Sequence, residues 1–412
     1  MSKLACLGGK PVTTNLFGKA KLHTRPDLER KYLLEEYDSG VWDDWPGGNG
    51  QAFKFEKEWA RFSDSRFAAL VNSGTHAIQL ALEALGIGAG DEVILPGLTW
   101  QATACAVVDI NAIPIFVDVN DTLCIDPRKI ESAITRNTRA IIPVHLYHRL
   151  ADMDKILRIS RKYGLKVVED CAHVHGARWR KKGIGTLGDF GAFSHQRSKP
   201  MNSGEGGSVL TQSEELYWRI VSQRSCGRAF SDEKVHNGSY RISGFQAAIL
   251  RGQLAAMRRR APVIDRNGIA LDKAISDAPG VKLLRRLKGI TRQCGYGFAF
   301  LYDPRAYGGL APQKFREALA AEVGLSFGST YAPLHHSELY YPHLKKRHHL
   351  NKSYTRAITP SRWELPVADD VWHRSVVSPW SIFACPPSRS HLLTDAIVKI
   401  HEQRDDLLAA AV

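Results

Sequence analysis

Short apolar runs alternate with amphipathic segments along the first half of the chain. The runs of four or five mostly apolar residues predict buried strands at 67–71, 92–95, 113–117, 140–144 and 166–169. Apolar positions at helical spacing predict helices around 55–62, 75–85, 101–110 and 153–163. Strands that alternate with helices in this way are typical of an α/β fold, a mainly parallel sheet between two layers of helices.

The alternation changes after Gly188. Two strands, 190–194 and 208–211, lie close together, and helices are predicted over 214–223 and 245–257. Beyond about residue 270 a strand at 298–302 and helices at 312–322 and 390–408 predict a smaller α+β unit. We therefore expect a loop-rich N-terminal arm (1–50), a large domain (51–265) and a small C-terminal domain (266–412).

Composition narrows the class of protein. The 412 residues carry a formal charge of +14, but the basic clusters are short and dispersed, which favours a solvated basic surface over a nucleic-acid site. Seven scattered cysteines indicate reduced thiols in a cytoplasmic protein. We recognise neither a signal peptide nor an apolar run long enough to span a membrane, so no membrane partner is expected.

A lysine and an acid are the candidate catalytic residues. Lys199 follows a predicted strand and precedes Pro200, which disfavours helix, and Asp170 closes an apolar strand 29 residues earlier. A lysine amine can bind an aldehyde as a Schiff base, and a carboxylate can keep a pyridine nitrogen protonated. This is the chemistry that pyridoxal 5'-phosphate (PLP) requires. Taken singly, a lysine is usually a solvated surface residue, and such an acid is usually a helix cap or a salt-bridge partner.

Further candidates follow neighbouring strands. Ser73, Gly74 and Thr75 open a helix whose N–H groups suit a phosphate, although the same triplet is a common helix cap. Trp100 could stack on an aromatic cofactor or belong to the core. Because ligands of open α/β sheets gather at the carboxyl ends of the strands, these residues are expected near Asp170.

Two histidines close to Asp170 raise the question of a metal. His173 and His175 follow the acid by three and five residues, and histidine is a common zinc ligand. Together with Cys171, however, they match no usual spacing of a structural or catalytic zinc site. We therefore expect no metal here.

As an ordered set, these motifs resemble the DegT/DnrJ/StrS aminotransferases, which have the type I, aspartate aminotransferase-like fold of PLP-dependent transferases. The matching stretches are 86–96, 143–147, 169–173, 188–194 and 203–207. Each stretch alone is weak evidence for the family, but the set is specific to it. The resemblance extends from about Phe53 to the last helix.

The resemblance implies a role for each candidate. Lys199 is implied to hold the cofactor aldehyde, and Asp170 to hold the pyridine nitrogen. The remaining implied cofactor contacts are Trp100 stacking on the ring, His173 beside the cofactor, and Gly74, Thr75 and Ser194 at the phosphate, with Ser73 in the same site. A dehydrating branch of the family carries histidine in place of the lysine, so Lys199 favours transamination.

One motif departs from the family. Its members tend to have Gly-x-Asn-x-Arg, in which the Asn reaches the cofactor phosphate of the partner subunit. Here Ser239 stands in the Asn position and Gly244 stands where an acid is frequent. Ser239, or alternatively Asn237, is the expected substitute for the cross-subunit contact.

Other stretches resemble two branches within the family, namely residues 98–100, 151–154, 224–228 and 307–310. One branch comprises the glutamine-dependent aminotransferases of scyllo-inosose and 2-deoxy-scyllo-inosose, which make aminocyclitols for antibiotics. The other is 3-amino-5-hydroxybenzoate synthase. The resemblance implies a homodimer with shared active sites that moves an amino group from L-glutamine to a cyclic ketone. A dehydratase or aromatising synthase, a nucleotide keto-sugar aminotransferase and a non-enzymatic regulator are the alternatives.

Overall fold

The computed structural model describes residues 3–43, 48–228 and 234–410. Its helices are α1 (Pro26–Ser39), α2 (Gln51–Ser63), α3 (Gly74–Ala84), α4 (Ala102–Asp109), α5 (Pro127–Ile130), α6 (Met153–Tyr163), α7 (Glu214–Arg224), α8 (Gly244–Ile275), α9 (Pro312–Val323), α10 (Lys352–Ala357), α11 (Pro366–Arg374), α12 (His391–Glu402) and α13 (Arg404–Ala410). Its strands are β1 (Phe67–Val71), β2 (Glu92–Pro96), β3 (Ile113–Val117), β4 (Thr138–Ile141), β5 (Lys166–Asp170), β6 (Arg178–Trp179), β7 (Lys182–Gly183), β8 (Phe190–Ser194), β9 (Gly207–Thr211), β10 (Val281–Leu283), β11 (Ile290–Arg292), β12 (Gly297–Tyr302) and β13 (Ser375–Pro379).

A seven-stranded sheet forms the centre of the protein, in the order β1-β9-β8-β5-β4-β2-β3. The neighbours from β8 to β3 are parallel, whereas β9 runs antiparallel to both β1 and β8. The predicted mainly parallel sheet is therefore confirmed. Its strands are short and almost wholly buried, as the continuous apolar runs indicated.

Helices form layers around this sheet. Helix α3 packs against β8 and β9 and contacts α4 and α7, while α2 packs against β1 and contacts α8. Most of α3 is buried, from Ala77 to Leu82 and again at Ala84, because it lies between the sheet and its helical neighbours. The Ser73 hydroxyl caps its first turn by accepting the His76 N–H. The start of α3 is thereby set directly at the end of β1.

The C-terminal third contains a second, smaller sheet. Strands β10, β12 and β13 form an antiparallel sheet in which β12 is completely buried, and α9 packs against α12. A third sheet joins β11 to β6 and β7. Mixed helices and antiparallel strands are as expected for this region.

Helix α8 differs from its predicted extent. Helix α8 runs for 32 residues to Ile275, well beyond the predicted end at 257, and accommodates Pro262 in its interior. The domain boundary expected at 265 therefore falls within a helix. The basic cluster at 258–260 and Pro262 are features typical of a helix end, so the sequence pattern predicts a shorter helix than the structure has.

The N-terminal arm is more ordered than the loop-rich segment expected, because it contains helix α1. This helix packs along α8 and places the buried carboxylate of Glu36 beside the first residues of α2 and α8. Glu36 Oε2 accepts the Gln51 N–H at 3.2 Å, and its other oxygen occupies the space that a side chain at Gly244 would need. Glu36 thus places a carboxylate against Gly244, the position at which an acid is frequent in the family that the sequence resembles.

Among the described helices, none combines the length and the apolar character needed to cross a lipid bilayer.

Candidate active site

The carboxyl ends of four strands of the central sheet surround one cavity of about 420 Å³. Segments that follow β1, β2, β5 and β8 supply most of its wall. Eight predicted site residues line it: Ser73, Gly74, Thr75, Trp100, Asp170, His173, Ser194 and Lys199. The fold therefore brings together residues up to 126 positions apart, as the strand-end argument expected.

Asp170 is the buried acid of the site. Its Oδ2 accepts the Thr103 hydroxyl at 2.8 Å, and its Oδ1 accepts the Ala172 N–H at 3.1 Å. Burial raises the pKa of Asp170, while these hydrogen bonds and the positive charge of Lys199 act to lower it. The carboxylate is thus held in one orientation, ready to pair with a cationic group in the cavity.

Lys199 lies in the loop after β8. Its N–H donates to the Gln196 carbonyl at 2.8 Å, which closes a tight turn, and its Nζ lies 4.3 Å from the centroid of the Tyr296 ring. Burial lowers the pKa of Lys199 to about 8, although the attraction of Asp170 acts to raise it. Near pH 8 about half of the molecules therefore carry the neutral amine, which is the nucleophilic and basic form.

The ring of His173 is neutral and has a defined tautomer. Its Nδ1 accepts the Tyr147 N–H at 3.2 Å, so the ring proton lies on Nε2, which faces the Tyr331 hydroxyl at 3.1 Å. Burial lowers the pKa of His173 well below its usual value, and the Lys199 charge acts in the same direction. The ring also stacks on Tyr296 with centroids 4.4 Å apart. The Nε2–H of His173 therefore donates to the Tyr331 hydroxyl and helps to hold that side chain at the cavity.

A cradle for an anion lies where α3 meets β8. The first N–H groups of a helix have no acceptor within the helix, and here they belong to Gly74 and Thr75. A Cβ atom on Gly74 would lie 2.7 Å from the Ser194 Cβ, so glycine is needed for this close approach. The Ser194 hydroxyl lines the same space. The cradle is small, polar and positive, and so suits a phosphate.

Aromatic rings form the outer walls. Trp100 is 44% exposed, and its ring centroid lies 5.3 Å from that of Tyr331. Tyr331 in turn stacks on Tyr147 at 5.9 Å. These flat apolar faces stand beside the buried acid and the amine, so the cavity is shaped for an aromatic ring.

A second acid in β5 has a structural role. Successive residues of a strand point to opposite faces, so Glu169 points away from its neighbour Asp170. It accepts three backbone N–H groups of residues 185–188 at 2.8 to 3.1 Å and contacts His145 Nε2 at 3.3 Å. His145, Glu169 and Cys171 place potential metal-ligand atoms within 4.8 Å of one another. The hydrogen bonds already satisfy the carboxylate, and they account for its burial.

Several cavity residues were not predicted from the sequence. Thr103 could have been found, since it lies in the first turn of α4, three residues after Trp100, and lines the same cavity. Gln196, Ser198 and Glu205 accompany Lys199 in its loop. Tyr296 and Tyr331 come from the C-terminal third, where no local pattern indicated them.

The two candidates for the cross-subunit contact lie outside this cavity. Ser239 is exposed and forms a β-bridge with Ser225, and Asn237 Nδ2 donates to Glu83 Oε2 at 2.7 Å. Their predicted partner is a second copy of the chain, so the role of Ser239 stays a prediction.

Comparison with known proteins gives a consistent set of relatives. A family model described as the DegT/DnrJ/EryC1/StrS aminotransferase family matches residues 27–377. The L-glutamine:2-deoxy-scyllo-inosose aminotransferase of Streptoalloteichus tenebrarius is 35% identical over 370 residues, which are 86% of this chain and 87% of that protein. A putative L-glutamine:3-amino-2,3-dideoxy-scyllo-inosose aminotransferase of Micromonospora echinospora is 36% identical over 97% of both chains.

Solved structures agree with these relatives. The crystal structure of 3-amino-5-hydroxybenzoic acid synthase superposes with a TM-score of 0.79 at 29% identity, covering 95% of this chain and all of that one. The family match and this superposition confirm the predicted type I, aspartate aminotransferase-like fold.

Proposed function

Because the chain belongs to the DegT/DnrJ/EryC1/StrS aminotransferase family, we propose that it moves an amino group from L-glutamine to a cyclic polyol ketone. The chain is an aminotransferase, and its family is PLP-dependent. The observation that carries the proposal is that one cavity holds the Lys199 amine, the buried Asp170 carboxylate and the Gly74 cradle.

We propose PLP as the cofactor, because the cavity offers a partner for each of its functional groups. Lys199 would hold the aldehyde, and Asp170 would hold the protonated ring nitrogen. Gly74, Thr75 and Ser194 would bind the phosphate at the start of α3. When bound, PLP supplies an electron-withdrawing ring that stabilises the electron pair left on a carbon that has lost its proton.

The proton transfers fall to Lys199. Its Nζ would take the proton from the donor α-carbon in the first half of the reaction and return a proton to the acceptor carbon in the second half. A pKa of about 8 suits both tasks, because neither protonation state dominates near that pH. Asp170 would face the protonated ring nitrogen, and the Thr103 hydroxyl keeps its carboxylate oriented.

The substrates are inferred from the relatives. Those of Streptoalloteichus tenebrarius and Streptomyces fradiae are named L-glutamine:2-deoxy-scyllo-inosose aminotransferases and are 35% and 36% identical to this chain. We therefore propose L-glutamine as donor and scyllo-inosose or 2-deoxy-scyllo-inosose as acceptor, in the biosynthesis of an aminocyclitol antibiotic.

We also propose a homodimer with shared active sites. Trp100 lines the cavity and is 44% exposed in a single chain, so it offers a large apolar surface that a second copy could cover. A second copy would cover it and would bring Ser239 toward the phosphate cradle. Sedimentation of the full chain tests the assembly, and a monomer at the concentration of the activity assay would contradict it.

A donor and acceptor screen tests the function. The full chain loaded with PLP is incubated with L-glutamine, L-glutamate or L-alanine and with a panel of cyclic and nucleotide-linked ketones. Amine gain by a cyclitol ketone, seen as product mass, supports the proposal, and it should be lost in Lys199→Ala. Amination of nucleotide-linked ketones alone would replace the proposed acceptor class.

The likeness to 3-amino-5-hydroxybenzoic acid synthase favours one second candidate, a dehydrating or aromatising enzyme on the same scaffold. The two functions differ in their product, since the second releases water from the ring. A product that has lost water without gaining nitrogen would favour this candidate over transamination.

A further inference from the structure

A second cavity adjoins the first on the side of the C-terminal sheet. Its volume is about 490 Å³, and it shares Ser198, Tyr296 and Tyr331 with the cavity that holds Lys199. Strand β13 and the residue after it, Trp380, form much of its far wall. A molecule whose reacting carbon lies beside the lysine amine can therefore extend into this second space.

Arg197 gives the second cavity its charge. Among the described residues that line it, Arg197 is the one charged residue, and the others are neutral. Its guanidinium makes no ion pair within the described chain, unlike Arg149 and Arg224, which are tied to carboxylates. Arg197 is exposed, and a guanidinium without an ion pair can bind a planar anion, because its N–H groups match a carboxylate.

The backbone of Arg197 is held firmly. Its N–H donates to the Gly204 carbonyl at 2.7 Å, and the following turn closes through the bond from Lys199 N–H to the Gln196 carbonyl. Arg197 thus occupies a corner of the turn that also carries the catalytic lysine. The distance between the anion site and the reacting amine is set by one short, hydrogen-bonded loop.

We propose that Arg197 binds the α-carboxylate of the amino donor in the second cavity. The inference rests on the proposed function, and it adds a specificity-determining residue to it. An amino-acid donor carries a carboxylate on the carbon that loses its proton, whereas a cyclitol ketone carries no charge. An arginine two residues before the lysine, in the adjoining cavity, would therefore distinguish the donor from the acceptor, although both react at the same amine.

The test compares Arg197→Ala and Arg197→Lys with the natural chain, all loaded with PLP. Keto-acid release from L-glutamine is followed without acceptor, and then amine gain by the ketone is followed at saturating donor. We expect the KM for L-glutamine to rise about tenfold or more in Arg197→Ala, which is the loss expected for a charge-assisted hydrogen bond. The lysine variant should recover part of this loss, and the KM for the ketone should change less than twofold.

Direct binding provides a readout besides activity. Glutaramate, which is glutamine without its α-amino group, keeps the carboxylate but cannot react. Calorimetric titration should give a dissociation constant about tenfold weaker for Arg197→Ala than for the natural chain. Arg136→Ala is the matched control, because it removes an exposed positive charge beside the amino end of β4, at the opposite edge of the sheet. Its affinity for glutaramate should stay unchanged.

Two results would overturn the proposal. One is an unchanged affinity of Arg197→Ala for glutaramate and an unchanged KM for L-glutamine. The other is an equal rise in the KM of donor and ketone, which would place Arg197 in general support of the site. Failure of the proposed function would look different: the natural chain would release keto acid and bind glutaramate through Arg197 but would aminate no cyclic ketone.

Discussion

Lys199 should destabilise the folded, cofactor-free chain at neutral pH. Its amine is buried, it rests on the Tyr296 ring, and the nearby Asp170 only partly compensates for the loss of water. The drop in the pKa of Lys199 from its ordinary 10.5 to about 8 corresponds to about 3 kcal/mol, at about 1.36 kcal/mol for each pKa unit. Replacement by methionine, which keeps the unbranched apolar stem, should recover most of this free energy.

The cost of burying the Lys199 amine should decrease as the pH rises. Below pH 8 the amine is charged in both the folded and the unfolded chain, so the full cost is present. Between pH 8 and 10.5 the folded chain loses the proton first and the cost declines, and above 10.5 it is gone. The advantage of Lys199→Met should therefore be about 3 kcal/mol at pH 7 and should vanish near pH 11.

Urea unfolding of the cofactor-free proteins at several pH values measures this difference. Lys182→Met, at an exposed position in β7, is the matched control and should change the free energy of unfolding by less than about 0.5 kcal/mol. A gain in Lys199→Met that is absent at pH 7, or one that stays constant up to pH 11, would refute the argument that burial of the amine causes the cost.

Three further substitutions test other parts of the structure. Gly74→Ala should weaken PLP binding at least tenfold in a fluorescence titration, because its Cβ would meet the Ser194 Cβ at 2.7 Å; unchanged affinity would show that the cradle is not the phosphate site. Thr103→Val should lower kcat more than it changes PLP affinity, since Asp170 loses a hydrogen bond worth about 1.5 to 3 kcal/mol, and Thr103→Ser should retain activity. Gly244→Ala should lower the free energy of unfolding by about 1 to 3 kcal/mol in urea, because the new methyl group displaces a buried carboxylate, and an unaltered midpoint would contradict this packing.

Much of the fold could be predicted from local patterns. The strands at 67–71, 113–117 and 190–194 and the helix at 153–163 have the extents that were predicted, because apolar periodicity reports directly which residues face a core. Helix α1 was missed. Its side chains are mostly polar or exposed, so its burial of Glu36 against α8 leaves little periodic signal.

Part of the candidate site could likewise be predicted from the sequence, and part of it required the structure. Sequence order alone indicated the acid, the lysine and the glycine that opens α3, because each lies directly after a predicted strand and strand ends converge in an α/β sheet. The type of each residue indicated its chemical role. That Asp170 is oriented by Thr103, and that His173 carries its proton on Nε2, needed the positions of backbone and hydroxyl groups from other elements.

Only the tertiary structure showed which residues surround Lys199 and Asp170. Tyr296 and Tyr331 lie about 100 or more residues from the lysine in the sequence and line the cavity that holds it, and Arg197 lines the cavity beyond them. Such contacts depend on how the C-terminal sheet packs on the larger one, and no short stretch of sequence records that packing. The sequence by itself therefore indicated the residues of the proposed reaction centre, whereas the packing of distant segments determined the burial of the lysine and the space for substrate.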